Sequence, residues 1–328
     1  MIVAHINRQN LESHDISMQN QHLLKEAVWI DMLSPTKEEK ALVDRILNLD
    51  IPTSEDMVKI ELSRRLYREN GVLFMTSTMI SNSDTDQAQL DPVSFVLTNT
   101  QLITVRFVDP KTFAIFTAQL KAIDASQYTA PILLAELLKA AVNRLADILA
   151  IVGQHLDDYS TSIFAPAVKR GPKTDYRKSM RELGYCANLG TKGRESLLAF
   201  DRLISFLQQF AGARVDEDHG ERLTTIAKDI HALSSHAEFL TNKINYLLAA
   251  TLGNVNITQN NIIKIFSIAA VIFMPPTLIA SIYGMNFDRA SHFNMPELGW
   301  KYGYVYSLTI MIISPFLLFR FFKSRGWF

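Results

Sequence analysis

Asn286 has the side chain whose chemistry most needs a setting. It stands in "SIYGMNFDRASHFNMPELGWKYGY" (residues 281–304), after Gly284 and Met285 and between two apolar stretches. A side-chain amide offers a neutral oxygen acceptor beside two N–H donors. Neutral oxygens repeated around an axis can orient the water shell of a strongly hydrated cation without trapping it. Mg²⁺ sheds water reluctantly and is often held through its waters, and conduction requires an ion that can leave. Just upstream, Asn260, Ile263, Ser267, Ala270, Met274, Thr277 and Ser281 recur at alternating steps of three and four. That spacing puts mostly small or polar side chains on one helix face. Such a face either packs closely on another helix or lines a water-filled path. Two spans cannot enclose a path, so the second meaning demands a homo-oligomer with this helix innermost. Pro275 and Pro276 lie within the same segment and leave the carbonyls of Val271 and Ile272 without helical N–H partners. Gly284 suits a left-handed cap that ends the helix.

The elements that must position these residues are two membrane spans. Ile265–Ile282 and Tyr302–Phe319 each run 18 residues without a charge, close to the ~20 that cross a bilayer. Tyr283, Trp300, Tyr302 and Tyr304 supply interfacial aromatics between them. Lys264 opens the first span, and Arg320, Lys323 and Arg325 follow the second. Arg289 and Lys301 in the connection are offset by Asp288 and Glu297. The positive-inside rule therefore places both termini in the cytoplasm and the connection outside.

The remaining chain divides by period. Residues 1–125 read as a cytosolic α/β domain. "AVWIDM" (27–32) is a strand, followed by Ser34 as N-cap and Pro35 at the first helical position of "PTKEEKALVDRILNL". "GVLFMTSTMIS" and "PVSFVLTNTQLITVRFV" are β-rich, the latter with a hairpin turn at 98–101. Residues 126–215 form a helical hairpin with a Pro/Gly-containing tip. Residues 216–261 form a stalk helix, with Leu223, Ile226, Ile230, Leu233, Ala237, Leu240, Ile244 and Leu247 as a heptad seam. That seam needs either the hairpin or copies of itself. Residues 262–283 are the pore-lining first span, 284–301 the external loop, 302–322 the second span and 323–328 a basic cytosolic tail. No breaker beyond Gly253 separates stalk from span, so 220–283 is expected to be one helix.

Composition excludes several classes. The 328 residues carry 33 basic and 33 acidic side chains, so no global field recruits nucleic acid. Cys186 is the only cysteine, which excludes an internal disulfide, and a buried, inert thiol is expected. The N-terminus shows no cleaved signal peptide. "GTKGRES" (190–196) lacks the spacing of a phosphate-binding loop, His231 and His236 are too poorly aligned for a zinc-protease pair, and no nucleophile elbow occurs. The chain is not expected to be an enzyme, and no prosthetic group is expected.

"YGMNF" (283–287) and "MPEL" (295–298), with "QNNIIKIFSIAAVIFMPPTLIAS" upstream and "KSRGWF" at the end, resemble the CorA magnesium and cobalt transport proteins. The resemblance implies a homopentameric, funnel-shaped transporter in the bacterial inner membrane, importing hydrated Mg²⁺ and also Co²⁺ or Ni²⁺ down the membrane potential. Its selectivity loop falls on Gly284, Met285 and Asn286, and Asn286 holds the ion through its waters. The family's pore asparagine, constriction and pore threonine fall on Asn260, Met274 and Thr277, with Ile263 and Phe266 as further narrowings. Mg²⁺ is then both substrate and regulatory ligand. Asp229 matches the aspartate that takes part in cytosolic Mg²⁺ gating; its partner stays open among Asp84, Asp86 and the acids at 216–218. The expected partners are copies of this chain, the lipid bilayer and divalent cations. One departure is the loop: "DRASHFN" puts seven residues between Phe287 and Met295, where the family usually has about two, and so adds His292. Two alternatives are a zinc transporter of the same superfamily and a membrane-anchored sensor or scaffold. Met285 argues against the first, and the polar stripe against the second.

Overall fold

The computed structural model describes all residues except 8–10, 18, 60–64, 86, 123–127, 165–175, 212–216, 286–294, 296–298 and 327–328. The chain forms two compact units, Met1–Ala249 and Ala250–Phe328.

In the first unit, strands β1 (Ile2–Asn7), β2 (Leu11–Asp15), β3 (Trp29–Leu33), β4 (Leu66–Glu69), β5 (Val72–Ser81), β6 (Gln89–Leu97) and β7 (Leu102–Arg106) make one sheet in the order β2-β1-β3-β7-β6-β5-β4. The β6–β7 hairpin turns at the expected residues, with the Thr98 N–H donating to the Gln101 carbonyl at 2.9 Å. Among the described residues only the β3–β7 pairing is parallel, with Asp31 opposite Thr104. A parallel pair needs a long connection; this one includes α2 (Lys37–Leu47), α3 (Ser54–Lys59) and three strands. One sheet face packs Ile2, Leu24, Ile30, Met32, Val43, Met57, Phe74, Val96, Ile103 and Val105 into a buried core. Gln101, itself buried, donates through Nε2 to the carbonyls of Leu24 (2.7 Å) and Ala27 (2.8 Å), so the turn is tied to the short helix α1 (Leu23–Glu26).

The cap of α2 differs from expectation. Thr36, not Ser34, is the N-cap. Its hydroxyl accepts from the Glu39 N–H (3.2 Å), and the Glu39 carboxylate accepts from the Thr36 N–H (2.9 Å). This is a reciprocal capping box. Ser34 adopts φ 44° and is committed elsewhere, its N–H donating to the Arg106 carbonyl (2.7 Å) and its hydroxyl to that of Phe107 (3.1 Å). Pro35 therefore precedes the helix. Thr36→Ala is expected to cost about 1 kcal/mol, measured as a lower thermal midpoint of the full chain in detergent; an unchanged midpoint would contradict this cap.

α4 (Lys111–Ala122) covers the sheet with Phe113 and Phe116, and the Phe116 ring meets Trp29 edge-on at 5.4 Å. The expected hairpin is present as α5 (Ala130–Phe164) and α6 (Tyr176–Ala211), its tip lying outside the described residues. At Gly193 a Cβ would sit 3.3 Å from Leu149 Cδ2, so glycine permits close α5–α6 approach. Cys186 on α6 is buried, and burial together with the Glu182 charge pushes its thiol up, as an inert thiol requires. α7 (Glu217–Tyr283) is a single helix. Its seam is satisfied within the chain: Leu223, Ile226, Ile230, Ala237, Leu240, Ile244 and Leu247 are buried and Leu233 is half-buried. α5 meets α7 through Arg222–Glu136 (2.7 Å), Lys243–Asp157 (2.5 Å) and the Phe164–Tyr246 ring stack, and α6 meets it where Asp201 lies 3.7 Å from His231.

The second unit holds the end of α7 and α8 (Gly303–Ser324). Both are long and apolar enough to cross a bilayer, and only 6% of each apolar window is buried. A soluble core helix would be mostly buried; these expose their apolar side chains, as helices facing lipid do.

Candidate ion pathway

The stripe takes its geometry from the unbroken helix. At ~100° per residue, Asn260, Ile263, Ser267, Ala270, Met274, Thr277 and Ser281 fall within an arc of about 100°. All seven are exposed, Ile263 at 53% and Met274 at 65%. The shielded positions, Lys264, Ile268, Ala269, Ile272, Pro275, Pro276, Ile279 and Tyr283, fall on the opposite arc. On α8 the shielded positions are Gly303, Ser307, Ile310, Met311, Ser314, Pro315, Leu318 and Phe322, again one face. Two helices packed side by side produce this pattern, and it leaves the stripe pointing away from α8. Phe266, 72% exposed, borders the stripe.

Asn260, Ser267, Thr277 and Ser281 give the stripe its oxygens, and none of its seven side chains carries a charge. The Thr277 hydroxyl donates to the Phe273 carbonyl at 2.8 Å, which spends its proton and leaves its oxygen as an acceptor. Such an oxygen suits the hydrogens of an ion's water shell. Interfacial groups flank the unit: Trp300, Tyr302 and Tyr304 are exposed at one end, and Arg325 lies 5.6 Å from the Phe321 ring at the other.

The helix end departs from expectation. Gly284 is not left-handed; its N–H still donates to the Ala280 carbonyl (2.9 Å), and Met285 N–H reaches the Ile282 carbonyl (3.2 Å). Glycine instead spares a tight contact, since a Cβ there would stand 3.0 Å from the Ala280 oxygen. Met285 is 53% exposed. Asn286, Phe287, His292, Pro296, Glu297 and Leu298 lie outside the described residues.

The acids behave differently from one another. Asp84 is paired with Lys111 and, at 2.8 Å, with Arg144, so two cations already occupy the carboxylate expected as a possible metal partner. Asp229 is exposed on α7. Among the described residues no group of three or more His, Cys, Asp or Glu side chains is arranged to hold a metal. Asp86 and the side chains at 216–218 lie outside the described residues. Sequence reasoning missed Pro315 and Ser314, which sit on the shielded face of α8; the signal was available as a Ser-Pro pair inside the second span.

An α/β domain, long helices and two C-terminal apolar helices, the first with an oxygen-bearing stripe, define a membrane transport protein. The description of the CorA-like Mg²⁺ transporter proteins matches residues 25–324, and the chain belongs to that family. It is 32% identical over 304 residues to the magnesium transport protein CorA of Pasteurella multocida (strain Pm70), covering 93% of each chain. The same identity holds over 308 residues with CorA of Escherichia coli (strain K12), again with 93% of each covered. The complete structure of the CorA magnesium transporter from Methanocaldococcus jannaschii superposes with a TM-score of 0.77 at 18% identity, covering 100% of this chain and 99% of the other. That likeness supports the fold.

Proposed function

We infer that this chain assembles as a homopentamer in the bacterial inner membrane, termini in the cytoplasm, and imports hydrated Mg²⁺. Co²⁺ and Ni²⁺ are further cargo to be tested. The observation that carries the reading is the oxygen-bearing stripe on one face of α7, opposite the face turned to α8, leading to Gly284–Met285–Asn286. Two helices cannot wrap a path, so the stripe of one chain needs those of its copies to close it. In that assembly α7 is innermost and α8 lies towards lipid. The magnesium names of the curated relatives favour Mg²⁺ over Zn²⁺.

No step in this reading consumes a nucleotide. A potential of 100 mV is worth ~2.3 kcal/mol per elementary charge, hence about 4.6 kcal/mol for a divalent ion. That supports inward accumulation of roughly three orders of magnitude. So strong a drive makes a brake useful. We assign it to cytosolic Mg²⁺ bound between subunits with Asp229, and to a closed constriction at Ile263, Phe266 and Met274.

The test is Mg²⁺ entry into proteoliposomes carrying a fluorescent indicator, with and without an inside-negative potential, together with the subunit number by native mass. Potential-dependent entry through a five-copy assembly is the expected result; no entry from folded protein with low internal Mg²⁺ would reject the reading. Met274→Ala should remove apolar bulk from the constriction and raise the leak at high internal Mg²⁺ by about tenfold, the equivalent of ~1.4 kcal/mol. An unchanged ratio of uptake at low and high internal Mg²⁺ would take Met274 out of the closed gate.

A further inference from the structure

Ser314 carries a polar atom in the wrong place for a resting side chain. Its Oγ is buried and has no hydrogen-bond partner. Four other hydroxyls of this unit return their protons to their own helix: Thr258 to the Asn254 carbonyl (2.9 Å), Thr277 to Phe273 (2.8 Å), Ser307 to Tyr304 (2.9 Å) and Thr309 to Val305 (2.7 Å). Ser314 does not, although it sits beside Pro315 in the middle of an apolar helix. An unmade hydrogen bond buried on an apolar helix face is costly, and a native group left so calls for a reason.

The neighbouring helix has a matching deficit. Pro276 has no N–H, so the Ile272 carbonyl lacks its helical donor. Ile272 belongs to the shielded face of α7, as Ser314 belongs to that of α8. Their depths agree as well. Spans joined outside the membrane run antiparallel, Ile272 lies eleven residues in from Tyr283, and Ser314 lies eleven residues in from Gly303. At ~1.5 Å per residue both are about 16 Å from the outer ends of their helices. Val271, whose carbonyl is freed by Pro275, is 40% exposed and off the shielded face, so Ile272 is the better-placed acceptor.

We propose that Ser314 is a positioning residue for the pore: in the conducting arrangement its hydroxyl donates to the Ile272 carbonyl that Pro276 leaves bare. In the non-conducting arrangement the bond is unmade, as it is here. When α7 bends at the proline pair, the exposed carbonyl meets the waiting hydroxyl, and the second span holds the first in its bent form. The donor is on the outer helix and touches no ion, so it sets how often the path opens and not how tightly Mg²⁺ binds. This inference rests on the pore reading above.

The experiment uses the full chain in proteoliposomes with Mg²⁺ alone as the probe. Ser314→Ala should lower the maximal uptake rate at least about threefold, the fold-change equivalent to one average interhelical hydrogen bond in a membrane. The Mg²⁺ concentration giving half-maximal uptake should not change. Ser314→Thr, which restores a hydroxyl, should recover the rate. In a Pro276→Ala background the Ile272 carbonyl regains a helical donor, so Ser314→Ala should have no further effect there. An unchanged maximal rate, a loss of equal size in both backgrounds, or equal impairment by Ala and Thr would each overturn the proposal. If Pro276→Ala alone does not conduct, the Ala–Thr contrast decides. Wild type that fails to conduct overturns the pore reading; wild type that conducts while Ser314→Ala matches it overturns only the role of Ser314.

Discussion

Vesicles containing Asn286→Ala are expected to take up Mg²⁺ no faster than protein-free vesicles, while the variant keeps the melting temperature and oligomer size of wild type. The reason is the kind of ion involved. Mg²⁺ keeps most of its water, so the entry site has to offer acceptors to the hydration shell. Alanine removes them and adds nothing in their place. If each subunit loses about 1 kcal/mol of hydrogen bonding, a ring of copies loses several together, a fall of at least about a hundredfold. Stability should not change, because the substitution touches neither the α7 seam nor the sheet core. Full uptake by a correctly assembled variant would remove Asn286 from the selectivity role.

Asp31→Ala is expected to destabilise the first unit strongly. Arg106 Nη2 lies 2.7 Å from Asp31 Oδ2 and Nε lies 3.2 Å from Oδ1, a two-pronged pair with both residues buried. Asp31 Oδ1 also accepts from the Thr104 hydroxyl (2.7 Å), whose oxygen accepts from the Trp29 indole N–H (3.0 Å). Burial works against the charge on Arg106, but hydrogen bonding to Asp31 and the charges of Asp31 and Asp109 outweigh it and hold its pKa above the usual value. Removing Asp31 strands the guanidinium between the exposed Asp109 and the face of Phe113, 4.2 Å away. Breaking a buried pair in this way costs about 3–5 kcal/mol. Thermal unfolding of the full chain should show it, and Asp31→Leu combined with Arg106→Met should lose less than the single change. A single variant that melts with wild type would show that the pair contributes nothing net.

The stripe was legible as one helix face because its signal is local. The stripe from Asn260 to Ser281 is a matter of spacing along one helix, and helix geometry turns spacing into a face without help from the rest of the fold. The same holds for the buried seam of α7 and for the apolar spans. The α2 cap was misplaced by two residues, although Thr36 and Glu39 carried the capping-box spacing. What overrode Ser34 was a pair of hydrogen bonds to Arg106 and Phe107, more than 70 positions away in the chain. Strands β1, β2 and β4 escaped notice. β2 and β4 are short, polar edges whose backbone is satisfied by one neighbour, so no strong apolar alternation marks them.

By itself the sequence determined the two spans, the unbroken α7 helix and the face that carries neutral oxygens, since each depends on residues within a few turns of one another. Only the tertiary structure decided what that face points away from, which helices meet α7, and that Asp84 is already paired with Lys111 and Arg144. It alone revealed the unpartnered Ser314 hydroxyl at the depth of the Ile272 carbonyl. Those facts depend on which distant groups meet, and hydrogen bonds, ion pairs and burial act through space between residues that the order of the chain keeps apart.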